Sequence, residues 1–221
     1  MAVLLEGGCR VTEMRDGAPQ VEGELISLRV FEVAPGRSSE FRNEDRDEVL
    51  FALDDCTLYL DDVAHELESQ SGVFVPAQKT FRFENRGSNP ACLIGVQSPP
   101  TKTPPPTAVV KLADQRAMPT ADRWYRVLID SEVTQFVGSI PPGRAPDHFH
   151  EYEEVLFILR GEGRMWAGTR STRIGYGSCI YLPRRQVHCL ENTGTGELRL
   201  LGVFYPAGSP AVRYETATQN P

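Results

Sequence analysis

The sequence predicts an all-β protein built as two copies of one barrel-like unit, and three observations lead there. Short runs alternate apolar and polar residues, as in LISLRVFEV and KTFRFEN, and end at Pro, Gly or Asn. These strand-like runs recur at even spacing with no long helical pattern between them, which points to a sandwich or barrel. The whole pattern then repeats 106 or 107 residues further on.

In chain order, residues 1–24 have weak periodicity and read as an arm with one or two short strands. Leu25–Gly36 is a strand stopped by Pro35-Gly36. EVLFALDDCTLYLDD gives two strands about a turn, and VFVPAQKTFRFENRG and ACLIGVQ complete a first unit over residues 1–97. Residues 98–107, SPPTKTPPPT, hold five prolines and read as an extended linker. A second unit occupies 108–221, with an extended tail after Pro206. The copies align at Pro35-Gly36-Arg37 with Pro142-Gly143-Arg144, at Glu48-Val49-Leu50-Phe51 with Glu154-Val155-Leu156-Phe157, at Pro76 with Pro183, and at Glu84-Asn85 with Glu191-Asn192.

The chemistry concentrates in Gly143–Asn192, which holds three of the four histidines, His148, His150 and His188. Imidazole is a common ligand for Zn, Cu, Fe and Ni. His148, His150 and Glu154 share one parity, so along a strand all three face one interior. Three imidazoles and one carboxylate leave open positions on a six-coordinate metal, the mark of a catalytic site. The bland alternative, histidines that merely fill the core, suits a lone residue better than this spacing. Arg164 and Trp166 share a face; turned inward, Arg164 would be a second catalytic candidate that binds an acid. Glu153 has the opposite parity to Glu154 and is expected to be solvated, as are Arg42, Glu44, Arg46 and Asp47. Asp147 is placed at a barrel mouth, Phe149 between sheets, and Cys179 and Tyr181 in the core.

The first copy has no histidine at the matching positions. Depending on which side sets the alignment, His148 and His150 become Arg42 and Glu44 or Phe41 and Asn43; His188 becomes Phe81 either way, and Glu48 keeps the carboxylate. The one remaining histidine, His65, falls in a polar stretch. The first unit is therefore expected to hold no transition metal.

These motifs resemble the cupins. Gly143, His148, His150, Glu154 and Gly161 follow the first cupin motif with one residue fewer after the glycine; Gly177, Pro183, His188 and Asn192 follow the second, with Arg185 where a glycine is common. The resemblance implies two double-stranded β-helix jelly rolls in tandem, a bicupin with one metal-binding barrel. It also implies metal-dependent chemistry on a small molecule. A dioxygenase-type oxidoreductase, quercetinase-like or acting on oxalate or keto-enols, is the leading expectation. A non-redox enzyme resembling ureidoglycine aminohydrolase, an isomerase or a lyase, is the second, and a non-catalytic binding or storage barrel the third. The metal is one divalent ion among Fe, Mn, Ni, Zn and Cu.

Composition limits the rest. A net charge of −7 with no basic block argues against nucleic acid. No apolar run approaches the ~18 residues of a membrane helix, and the N-terminus lacks a signal-peptide pattern. Five cysteines without paired spacing suggest reduced, mostly buried thiols in a cytoplasmic protein. No nucleophile elbow, phosphate loop or dinucleotide fingerprint is present. The resemblance to cupins, whose barrels commonly pair through sheet edges and arms, implies a homodimer.

Overall fold

The computed structural model describes residues 2–14, 19–120 and 123–210; most of the tail expected after Pro206 lies outside them. Two 3-10 turns, Glu6–Gly8 and Leu112–Asp114, are the only helical segments among the described residues, and all other regular structure is strand. No helix is long and apolar enough to cross a membrane.

Each barrel pairs an inner sheet with an outer one, and the two inner sheets face each other. In the first barrel the inner sheet runs Val110–Lys111, Ser71–Val75, Asp47–Ala52, Ala91–Ser98, Ser27–Val33 and Pro19–Glu22. Its outer sheet is centred on Thr80–Asn85 and Cys56–Leu60. In the second barrel the inner sheet has eight strands, with Glu153–Arg160, Leu198–Tyr205 and Thr134–Ile140 in the middle. The outer sheet there runs Gly143–Arg144, His188–Asn192, Glu162–Ala167 and Arg170–Gly175.

This layering explains the two hydrophobic patterns in the sequence. A strand covered on both faces reads as a continuous apolar run, and one covered on a single face alternates. Asp47–Ala52 and Thr134–Ile140 are buried at every residue. Thr80–Asn85 alternates between half-buried and buried. Along EVLF, alternate residues divide between two cores. Val49 and Phe51 meet Val155 and Phe157 between the barrels, whereas Leu50 and Leu156 each turn into their own barrel. Each such side chain contributes about 1.5–3 kcal/mol over its exposed state.

The strand pairing departs from the division into residues 1–97 and 108–221. Val3–Leu4 and Arg10–Glu13 extend the inner sheet of the second barrel, with Arg10–Glu13 pairing Ser178–Tyr181. In return Val110–Lys111 pairs with Ser71–Gly72 of the first barrel. The segment preceding each barrel thus caps the sheet of the other, which covers strand edges that would otherwise stay open. The proline-rich stretch forms no strand between Ser98 and Val110, yet it is anchored: the Thr101 N–H donates to Asp47 at 2.6 Å and the Lys102 N–H to Glu132 at 2.8 Å.

Two acidic residues expected in solvent are buried. Glu153 faces the first barrel and accepts the backbone N–H groups of Glu24, Leu25 and Ile26 at 3.2, 2.9 and 3.2 Å. Asp47, its counterpart in the repeat, takes the N–H groups of Ala77 and Thr101. Parity placed Glu153 away from Glu154 correctly; what it missed is that the opposite face is a second core. Arg42 and Glu44 are exposed and paired with each other, as expected of a solvated loop. All five cysteines are free, and Cys179 and Tyr181 lie in the core between the barrels. Phe149 is half-buried and outside the core clusters, and His65 is half-buried on the Val63–Leu67 strand.

Removing the Glu153 carboxylate strands one buried and two part-buried donors. Glu153→Ala is expected to cost about 3 kcal/mol in urea unfolding, against less than about 1 kcal/mol for Glu151→Ala at the exposed Arg185 pair. Equal costs would refute the bridging role.

Candidate metal centre

His188 opens the His188–Asn192 strand of the outer sheet, and His148 pairs with it through an isolated two-residue bridge. Their backbones exchange both hydrogen bonds, His148 N–H to His188 O at 3.0 Å and the reverse at 2.8 Å. His150 lies two residues on, its carbonyl accepting the Arg185 N–H at 2.7 Å. Glu154 comes from the facing inner sheet, on a strand that begins only at Glu153. The site therefore bridges two sheets, and a bend at 151–152 separates the histidine pair from the carboxylate. The shared parity read from the sequence leads to the right interior by a broken path.

The three imidazoles each offer a nitrogen within 4.8 Å of the others. His188 Nδ1 lies 2.7 Å from the Gln186 carbonyl and His148 Nδ1 3.0 Å from that of Pro146. Carbonyl partners on Nδ1 leave Nε2 as the free lone pair, the arrangement usual for metal-bound imidazole. Glu154 Oε2 stands 3.6 Å from His150 Nε2 and 3.7 Å from His188 Nε2, beyond hydrogen-bond length. His150 Nδ1 is buried with no hydrogen-bond partner, its ring stacked on Tyr152 at 4.7 Å.

These contacts are not ion pairs. Burial, helped by the neighbouring imidazoles, pulls His150 down to about 2 and His188 to about 3. Burial alone pushes Glu154 up to about 8. A buried carboxyl without a partner is costly, and a cation between Glu154 and the imidazole lone pairs would supply the missing opposite charge. The donor set thus fits a divalent transition metal, which the three histidines can hold.

Above the imidazoles lies a cavity of about 90 Å³. Its wall is largely apolar, with Phe136, Leu156, Leu200 and Phe204 in it. The polar exceptions besides the metal-site residues include Arg123, Tyr125 and Ser139. Arg123 escaped the sequence reading, although the parity of RWYRV was a usable signal: Tyr125 and Val127 pack on the barrel interior, and Arg123 continues their row to the cavity.

Arg164 does not reach this cavity. On its strand Gly163, Met165 and Ala167 are buried and face inward, so Arg164 and Trp166 lie on the outer face. Arg164 donates to Ser171 Oγ at 2.9 Å, and Trp166 donates to Glu191 at 2.8 Å beneath the Arg144 guanidinium. The outer sheet exposes one face only, so its charged residues take that face. Asp147 is exposed, and a hydrogen bond from the Cys189 thiol, with the Arg144 guanidinium beside it, holds its carboxyl below the usual range.

The first barrel settles its own alignment. Phe81 pairs with Phe41 as His188 pairs with His148, and Leu50 pairs with Gly95 as Leu156 pairs with Gly202. The histidines therefore match Phe41, Asn43 and Phe81, and Glu154 matches Glu48. The turns are kept: Gly36 and Gly143 have φ of +103° and +121°, which L-residues avoid. Gln78 and Arg185 both adopt a left-handed conformation, φ +66° and +60°, so the position usually given to glycine tolerates a side chain in both copies. Asn85 and Asn192 bond alike, each Nδ2 donating to two backbone carbonyls at 2.7–2.8 Å. The scaffold is duplicated and the histidines are not.

The pH dependence of the metal-free chain follows from these shifts. Between about 3 and 6.5 the unfolded chain binds protons on both histidines that the folded chain refuses, so folding gains as pH rises. Between 4.5 and about 8 the folded chain keeps the Glu154 proton that the unfolded chain has lost, so folding weakens as pH rises. The histidines outweigh the carboxyl until about 6.5, and only the carboxyl acts above it. Urea midpoints with chelator present are expected to peak near pH 6.5 and fall toward 8, and Glu154→Gln should remove the fall. A steady rise through pH 8 in the unaltered chain would contradict this.

Comparison with known proteins agrees with this geometry. The Cupin domain family model matches residues 136–204, the span that carries the three histidines and Glu154. An uncharacterized protein of Methanocaldococcus jannaschii is 35% identical over 54 residues, 24% of this chain and 43% of that one, so the match spans less than half of that protein. Among solved structures, AerE from Microcystis aeruginosa superimposes with a TM-score of 0.74 at 18% identity, over 92% of this chain and 95% of its own. YlbA from E. coli gives 0.73 at 10% identity over 94% and 95%. Bacillus subtilis oxalate decarboxylase, a protein with Mn(II) centres, gives 0.70 at 13% identity over 91% and 74%. At these identities the likeness is one of fold, and it extends across both barrels. The second barrel is thus a cupin domain, and the two-barrel fold of the whole chain is that of a bicupin.

Proposed function

We propose that this bicupin is a mononuclear metal-dependent enzyme acting on a small organic acid, with His148, His150, Glu154 and His188 as the metal ligands. The observation that carries the reading is the meeting of three imidazoles with a buried, unbonded carboxylate at a small cavity. Bound there, an Fe, Mn, Ni, Zn or Cu ion would supply Lewis-acid polarisation and open coordination positions. The protein's own part is to bind, orient and keep the cavity dry. Arg123 offers a permanent positive charge suited to a carboxylate, with the Tyr125 hydroxyl as a further hydrogen-bonding group. The wall of Phe136, Leu156, Leu200 and Phe204 excludes water and so strengthens that attraction.

The Arg123 guanidinium in the cavity wall favours a small acid over a neutral flavonol. The cavity lining and the ligand set also bear on reaction type. Apart from the four proposed ligands, the titratable side chains among the described lining residues are Arg123 and Tyr125. Four protein ligands would leave about two open positions on a six-coordinate ion, room for a substrate oxygen and dioxygen side by side. That supports a dioxygenase-type oxidoreductase acting on a small keto-enol acid or diacid. Oxalate enters the first trial set because of the fold shared with oxalate decarboxylase.

Metal analysis of the purified chain is expected to find about one transition metal per chain, and His148→Ala should lose it. Oxygen uptake should appear with small keto-enol acids and not with flavonols. Arg123→Leu should raise KM for the acid tenfold or more with a smaller change in kcat, as expected for loss of one charged hydrogen-bonding anchor. A metal-free chain that takes up no ion, or equal turnover of neutral and acidic substrates by both proteins, would end this reading.

A further inference from the structure

The N-terminal arm does more than lengthen a sheet. Between its two strands the chain turns at Glu6–Gly8, with Leu5 and Cys9 buried on either side in the core of the second barrel. This turn lies against Pro183–Val187, the segment that delivers His188. Gly7 approaches the Gln186 side chain so closely that a Cβ there would lie 1.3 Å from Gln186 Oε1. A Cβ on Gly8 would touch Pro183 at 3.5 Å. The Glu6 carboxylate accepts hydrogen bonds from the Thr169 N–H, at 3.1 Å, and from its hydroxyl. The neighbouring Gly168 N–H donates to the Val187 carbonyl at 3.1 Å. Three successive arm residues therefore brace the segment at Val187, through Gly168–Thr169, at Gln186 and at Pro183. The Gln186 carbonyl is itself the partner of His188 Nδ1 at 2.7 Å.

We infer that Leu5–Cys9 is a positioning element for His188, holding the turn whose Gln186 carbonyl orients the imidazole. The inference rests on the metal reading above and adds to it a segment from the far end of the chain. The turn needs support: Arg185 holds a left-handed conformation, φ +60°, that a non-glycine residue keeps only when its surroundings impose it. Partners that orient a ligand typically matter 10–100-fold in metal affinity. The metal site of the second barrel is thus completed by residues that precede the first.

Two variants of the full chain test this with Co(II) as probe, read by chelator competition and by the visible absorption spectrum. Glu6→Ala removes the acceptor for Thr169, and deletion of residues 2–8 removes the brace while keeping the Arg10–Glu13 strand. Both are expected to lose about tenfold or more in Co(II) affinity and to shift the spectrum. Glu6→Gln, which retains an oxygen acceptor, should restore the unaltered spectrum. The metal-free unfolding midpoint of Glu6→Ala should stay unchanged, which separates positioning from general stability. Should the shortened chain fail to fold, Glu6→Ala decides alone. Unaltered Co(II) affinity and spectrum in Glu6→Ala, with or without a drop in stability, overturn the positioning role and leave the metal reading standing. No Co(II) uptake by the unaltered chain overturns the metal reading and this role with it.

Discussion

The packing of two sheets back to back is the constraint on which the rest of this protein depends. Each inner strand is buried on both faces, so neighbouring residues enter different cores. That rule gives adjacent glutamates opposite tasks. Glu154 turns into the second barrel and meets the imidazoles; Glu153 turns to the first barrel and gathers its backbone N–H groups. A one-residue slip would exchange them, placing a carboxylate in the wrong core on each side. The interface between barrels and the candidate metal centre are consequently locked to one register.

The same register exposes how the duplicated site has diverged. In the second barrel the ligands are ringed by Phe136 and Phe204. The matching residues of the first barrel are Arg29 and Gln97, and the matching ligands are Phe41, Asn43 and Phe81. At four of these positions polar and apolar residues have been exchanged, His148 and His188 for phenylalanine and Phe136 and Phe204 for Arg29 and Gln97. Glu48 keeps its carboxylate, fully buried, with Arg29 Nε donating to it at 2.7 Å and Asn43 at 2.8 Å. Gln97 completes the network through Asn43, and the guanidinium rests on the Phe31 ring at 4.5 Å. A buried carboxylate needs either several N–H donors, as Glu153 and Asp47 have, or a cation. One barrel supplies it within the chain, and the other has the donor set of a metal site.

Much of this was legible in the sequence because it depends on spacing. The repeat, the strand punctuation and the pattern of His148, His150, Glu154 and His188 are local, and a turn such as Gly143 or Asn192 declares its role through its neighbours. What stayed hidden depends on which surface covers a strand. Glu153 and Asp47 look solvent-bound until a second sheet is laid over them. Arg164 looks as free to face inward as outward until Met165 and Ala167 are seen to fill the core. The exchange of Arg10–Glu13 and Val110–Lys111 between barrels leaves no trace in composition, since an edge strand reads alike whichever sheet it joins.

That exchange bears on why the two barrels remain one chain. A barrel with its own complete sheet could diverge or separate freely. Here the inner sheet of the second barrel ends on the arm that precedes the first, and the same arm reaches the turn before His188. The linker is fixed to both sides through Asp47 and Glu132. The first barrel, whose buried Glu48 meets a guanidinium while its twin's Glu154 faces imidazoles, therefore still bears on the candidate site: it holds the arm through the Thr12 hydroxyl and the Gln20 carbonyl, supplies the N–H groups that hold Glu153, and through Glu153 fixes the register that turns Glu154 toward the histidines.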